Sequence, residues 1–164
     1  MPQATDSPNN PWKTLEELQV LLGYRFHDLE LLVTALRHRP AVSENFFKNP
    51  NLMEPLATLG ETILGAVIAD KLYEEGNREK GTLTIEMVRK SKHARSRKFA
   101  EKIQLRKYIQ WENEEGENWA RSNSALDTVF EALTGAVFTD AKRSRMNGME
   151  IVRDMLERSG FFGR

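Results

Sequence analysis

The sequence predicts an all-α domain, and three observations carry that prediction. Apolar residues recur at i, i+3, i+4 and i+7 along most of the chain. Helix-capping residues stand where several of those stripes begin or end. No segment keeps the strict alternation of a half-buried strand.

Each element has its own justification. Residues 1–12 are polar and rich in proline and asparagine, and read as a flexible tail ahead of a single domain over 13–164. Thr14 and Glu17 suit a capping box. Leu15, Leu18, Leu21 and Leu22 follow on one stripe, and Gly23 suits the stop. Asp28 can cap a second helix, whose Leu29, Leu32, Val33 and Leu36 share a face before Pro40 ends it. Residues 41–52 read as a loop. A long helix follows from Glu54 to Glu75, with Leu56, Leu59, Ile63, Val67 and Leu72 expected to face inward. Gly60 and Gly65 inside it each cost about 1 kcal/mol against alanine. That cost predicts close approach by a neighbouring backbone.

Gly76 and Gly81 bracket a turn. The helical pattern resumes from Leu83 to Met87 and again through Phe99, Ala100 and Ile103. The acidic stretch from Glu112 to Glu117 reads as a loop. Ser124 with Asp127 gives a further cap signature, ahead of a stripe formed by Leu126, Val129, Phe130, Leu133 and Val137. The last helix is expected from Asn147 to Arg158.

Composition narrows the function classes. The 164 residues, 40% hydrophobic and 29% charged, suit one domain with a substantial core. The absence of cysteine excludes a disulfide framework and a thiolate metal site. No apolar run approaches the ~20 residues that span a bilayer, and the start lacks an apolar signal core. The expected location is cytoplasmic, with no membrane partner. Formal net charge is zero, but it is unevenly spread. Arg89, Lys90, Lys92, Arg95, Arg97, Lys98, Lys102, Arg106 and Lys107 stand in one stretch opposed only by Glu101, a local +8 that the rest of the chain offsets. Such a run is either a phosphate-binding surface or a solvated helix face.

Several blocks then resemble the nuclease domain of the ribonuclease III family. Gly23-Tyr24-Arg25-Phe26-His27-Asp28, with Leu31-Leu32, Ala35-Leu36 and His38-Arg39, is similar to the opening of those domains. Leu59-Gly60-Glu61 and Ile63-Leu64-Gly65 resemble the family's signature helix. Ser124-Ala125-Leu126, Glu131-Ala132-Leu133 and Gly135-Ala136-Val137-Phe138 resemble its second catalytic helix. The likeness runs from about Leu15 to Phe161, and its specificity lies in the order and spacing of the blocks.

The resemblance implies a homodimer that cuts both strands of double-stranded RNA, using Mg2+ or Mn2+ held by four carboxylates per subunit. Hydrolysis of a phosphodiester needs a deprotonated nucleophile and a stabilised leaving oxygen, and clustered carboxylates hold the cations that supply both. Carried over position by position, the first carboxylate falls on Ala57 and the second on Glu61. The third falls on Thr128 and the fourth on Glu131. The signature's asparagine, arginine and interface aromatic fall on Met53, Pro55 and Thr58, a departure at the expected dimer contact.

A rebuilt site is conceivable in sequence terms. Asp127 and Glu131 share a helical face about 6 Å apart along the axis, and Glu54 and Glu61 share another about 10.5 Å apart. Glu54, Glu61, Asp127 and Glu131 are therefore the candidate catalytic residues, the last three the candidate metal ligands. The alternative role for Asp127 and Glu54 is helix capping, where carboxylates meet the dipole. Arg89, Lys90, Lys92, Arg95, Arg97 and Lys98 are the candidate RNA contacts. His27, His38 and His93 form no local metal pair. Trp111 and Trp119 suit loop anchoring or base stacking.

Three functions follow as expectations: a metal-dependent endonuclease on double-stranded RNA, a non-catalytic RNA-binding or scaffolding relative of one, and a helical protein-interaction module. No separate double-stranded-RNA-binding domain is expected within these residues.

Overall fold

In the computed structural model the residues described are 11–38, 52–91, 94–111 and 113–163. Eight α-helices carry them: α1 (Pro11–Leu22), α2 (Leu29–Leu36), α3 (Met53–Glu74), α4 (Lys80–Ser91), α5 (Ala94–Lys102), α6 (Glu114–Ala120), α7 (Asn123–Arg143) and α8 (Gly148–Arg158). A 3-10 turn, Leu105–Tyr108, links α5 to α6. Among the described residues there is no strand, only an isolated bridge between Arg37 and Gln110. No described helix is long and apolar enough to cross a membrane.

Local chemistry sets most boundaries. Gly23 adopts φ +66°, the left-handed conformation that ends α1 without a Cβ penalty. Asp28 caps α2 by accepting from the Glu30 N–H at 3.0 Å, and Asn147 caps α8 by accepting from the Glu150 N–H at 3.3 Å. Other boundaries depart from expectation. Helix α1 begins at Pro11, so Thr14 lies inside it rather than capping it. Proline suits a first helical turn because its missing N–H would have no helical partner there. Residues 114–120 form α6, not a loop, because Asn113 accepts from the Gly116 N–H at 2.9 Å and acids fill the first turn. Helix α7 is capped by Ser122, which accepts from the Ala125 N–H at 3.1 Å, so the expected cap at Ser124 and Asp127 is really helix interior. Of the tail expected over 1–12, residues 11 and 12 belong to α1 instead, while residues 1–10, the stop at Pro40 and all but the last residue of the loop expected over 41–52 lie outside the described residues.

Helix α7 is the central element, with α2, α3, α5, α6 and α8 packed around it. Its stripe of Leu126, Val129, Phe130, Leu133 and Val137 is fully buried. On α3 the buried face includes the expected Val67 and Leu72 but differs from expectation over the first half of the helix. It runs through Met53, Ala57, Gly60, Leu64, Val67, Ile68 and Leu72, leaving Leu56, Leu59 and Ile63 half-buried. Leu21 of α1 is likewise 45% exposed, outside the core formed by Leu15, Leu18 and Leu22.

Glycine explains how α3 meets α7. A Cβ at Gly60 would lie 1.7 Å from the carbonyl oxygen of Glu131, and one at Gly135 would lie 2.2 Å from that of Leu56. The two backbones touch, so the buried face of α3 must centre on Gly60 rather than on its leucines. The expected close approach is real at Gly60. It does not extend to Gly65, where a Cβ would meet nothing within 4 Å.

Candidate functional site

The crossing at Gly60 and Gly135 places Glu61 beside Glu131, since the first follows one contact residue and the second is the other. Glu61 and Glu54 are exposed on α3, Glu131 is half-buried on α7, and Asp127 is buried one turn earlier. Burial pushes the Glu131 carboxyl up to about 7, and the negative charges of Glu61, Asp127 and Glu54 push in the same direction. The other three predicted acids thus each lie within electrostatic reach of Glu131. An acid in such company resists ionisation because each neighbour adds repulsion in a partly dry setting.

Asp127 does not cap its helix. Its Oδ2 accepts from Nη2 of Arg97 at 2.8 Å, a contact between α5 and α7. Arg97 is one of the expected RNA contacts, but its side chain is only 32% exposed and turns onto Asp127. The pairing is invisible in sequence because neither residue breaks a local pattern and the partners belong to different helices.

The rest of the basic run is divided in use. Arg106 donates to the carbonyls of Ala120 and Ser122 at 2.7 and 3.0 Å, tying down the entry to α7. Lys102 reaches the Ser159 carbonyl at 3.4 Å. Lys98 and Lys107 are exposed. Arg89, Lys90 and Arg95 lie on helical backbone with side chains outside the described residues, as does Lys92 altogether. His93 is outside them too. His38 stacks on Trp119 with ring centroids 4.0 Å apart, so that tryptophan is a packing partner, while Trp111 is 44% exposed.

A model of the family described as Ribonuclease-III-like matches residues 28–156, most of the chain. The chain belongs to the ribonuclease III family. It is 32% identical over 148 residues to Ribonuclease 3 of a Nitratiruptor species, covering 87% of this chain and 59% of that protein. It is 33% identical over 160 residues to a Ribonuclease 3 of Helicobacter pylori, covering 93% of this chain and 60% of that protein. The chain therefore spans about three fifths of the length of these relatives. The nuclease domain of ribonuclease III from Campylobacter jejuni superposes with a TM-score of 0.73 at 25% identity, covering 90% of this chain and 93% of that one.

Within the ribonuclease III frame, the four implied carboxylate positions can be tested for a divalent cation. Ala57 is 5% exposed and presents only a methyl group. Thr128 is half-buried and offers a neutral hydroxyl. Glu61 and Glu131 retain carboxylates. Among the described residues no group of three His, Cys, Asp or Glu side chains stands close enough to hold a metal ion. Magnesium demands oxygens converging at about 2.0–2.1 Å in near-octahedral geometry. The residues present, as arranged, do not fit that requirement.

The expected dimer contact is altered as well. Met53 is fully buried within its own chain. Thr58 is exposed, and its hydroxyl donates to the Glu54 carbonyl of its own helix at 3.1 Å.

Proposed function

We propose that this ribonuclease III-family domain binds double-stranded or structured RNA while its hydrolytic step is impaired. The observation that carries the reading is the α3–α7 crossing. It brings Glu61 close to Glu131, and support for the impaired step comes from Ala57 and Thr128 standing at the sequence positions where the family resemblance implies further carboxylates. Metal-stabilised charge contributes several kcal/mol to phosphodiester cleavage, and each ~1.4 kcal/mol is tenfold in rate. Losing half the ligands lowers turnover by orders of magnitude. Binding depends on different groups. Lys98 and Lys107 are exposed cations, and the side chains of Arg89, Lys90, Lys92 and Arg95 complete the proposed phosphate contacts. Recognition would follow A-form shape and 2′-hydroxyls rather than base sequence. The setting for this activity is cytoplasmic and the assembly a homodimer, with Pro55 and Thr58 exposed to contribute to its interface and Met53 withheld.

Incubating the chain with long double-stranded RNA, in Mg2+ or Mn2+ and across a salt series, tests both halves. Retained RNA that is released steeply as salt rises, with discrete products scarce beside a parallel Helicobacter pylori Ribonuclease 3 digest, is the expected result. Cutting at the relative's rate overturns the impaired step. Affinity that ignores salt removes the phosphate contacts and favours a protein-interaction module.

A further inference from the structure

The acids at the α3–α7 crossing already have a cation of the chain's own against one of them. Helices α3 and α7 contribute Glu54, Glu61, Asp127 and Glu131, and α5 contributes Arg97, whose Nη2 lies 2.8 Å from Oδ2 of Asp127. A guanidinium stays protonated at any ordinary pH. Being tethered, it needs no capture from solution and no stripping of a tightly held water shell. It also acts differently from a metal. Its N–H bonds are directional and draw a carboxylate oxygen towards α5, whereas a divalent ion needs several oxygens turned to one point. The two cations repel each other and compete for the same lone pairs of Asp127.

We propose that Arg97 is the resident counter-ion of this acidic cluster, so that the α3–α7 crossing stands without a divalent cation and Arg97 competes with one for Asp127. This goes beyond the loss of ligands at Ala57 and Thr128. It assigns a positive group that occupies one of the acids left behind. It also changes the role of Arg97, which serves the interior of the site rather than a phosphate on its surface.

The test uses the whole chain, with no RNA. Wild-type protein is melted in EDTA and in millimolar MgCl2 at matched ionic strength, and the midpoint is expected to move by less than about 1 °C. A rise of several degrees overturns the proposal, because it would mean that a divalent ion binds the native state well despite Arg97. Mn2+ is then titrated into wild type and Arg97→Gln, with free Mn2+ read by electron paramagnetic resonance. The variant is expected to bind Mn2+ at least about tenfold more tightly, the scale of removing one unit charge from beside a dication in a partly solvated site. An Arg97→Gln chain that folds only when Mn2+ is added supports the proposal equally. Equal Mn2+ affinity in the two proteins overturns it. The RNA assay above reads turnover and binding of nucleic acid, so either reading can fail without the other.

Discussion

Asp140 and Glu131 are both acids of α7, and the fold treats them in opposite ways. Asp140 is 1% exposed, and its two oxygens accept from the Tyr24 hydroxyl at 2.7 Å, the His27 N–H at 2.9 Å and the Asp28 N–H at 2.9 Å. The His27 ring lies 3.3 Å away. Burial alone would raise this carboxyl, but the donors outweigh it and hold Asp140 below the usual carboxylate range. Through these bonds Asp140 ties the Tyr24–Asp28 turn, and with it the start of α2, to the central helix. Glu131 is raised towards neutrality, first by its partial burial and then by the negative charges of Glu61, Asp127 and Glu54. The contrast shows which acid the architecture requires. A buried carboxylate with converging donors stabilises the fold, while one surrounded by like charge opposes folding and persists for another reason.

The comparison can be broken most forcefully at the second region. Restoring the missing ligands with Ala57→Glu and Thr128→Asp together is expected to raise Mg2+-dependent cutting of a long duplex by about a hundredfold or more. Gel-resolved products over time measure it. No gain in the doubly substituted chain, if it is folded by circular dichroism, would show that the acids around Glu131 are not the remains of a cleavage centre.

A smaller effect is expected at the first region. Asp140→Asn should cost about 2–4 kcal/mol in urea melts, because three donors would face a neutral amide whose NH2 cannot accept. The pH sign follows from the depressed carboxyl. The Asp140 contribution is present above the unfolded carboxylate pKa and is lost as pH falls through the lower folded value. The stability gap between wild type and variant should therefore be wide at pH 7 and close towards strong acid. A gap that widens on acidification would contradict the assignment.

Glu131→Gln should act in the opposite sense and more weakly. The folded state holds the Glu131 proton up to about 7, so folding takes up a proton between the unfolded value and that point. Ionised Glu131 is a burden at higher pH that disappears on acidification. In EDTA, the variant should be about 1–2 kcal/mol more stable than wild type at pH 8, after discounting for its half-exposed position, and equal to it near pH 4. Destabilisation at pH 8 would mean that Glu131 makes a favourable contact outweighing its acidic neighbours.

Much of this molecule is legible before any coordinates. The stripe on α7, the glycine stop after α1, the cap at Asp28 and the last helix follow from periodicity and from short-range capping chemistry, which act within a few residues. Glu54, Glu61, Asp127 and Glu131 are legible as candidates, through helical spacing and the family resemblance, while the repulsion that the first three exert on Glu131 is a product of packing. Other features are not legible. Asn113 reads as part of an acidic loop, because a seven-residue helix is too short to print a periodic signature. The inward face of the first half of α3 is misplaced because leucines outrank glycine on any hydropathy reading, although only glycine lets two backbones touch.

By itself, then, the sequence determined the all-α class, the main helices and the inventory of acids and bases at the crossing. Tertiary structure alone decided which charge meets which. Arg97 reads as a surface cation until α5 lies against α7, and nothing in the sequence singles out Asp140 before the Tyr24–Asp28 turn closes over it. The reason is range. Helix propensity and capping are settled between neighbours along the chain, whereas the state of a charged group depends on whatever packing brings within a few ångströms in a partly dry interior.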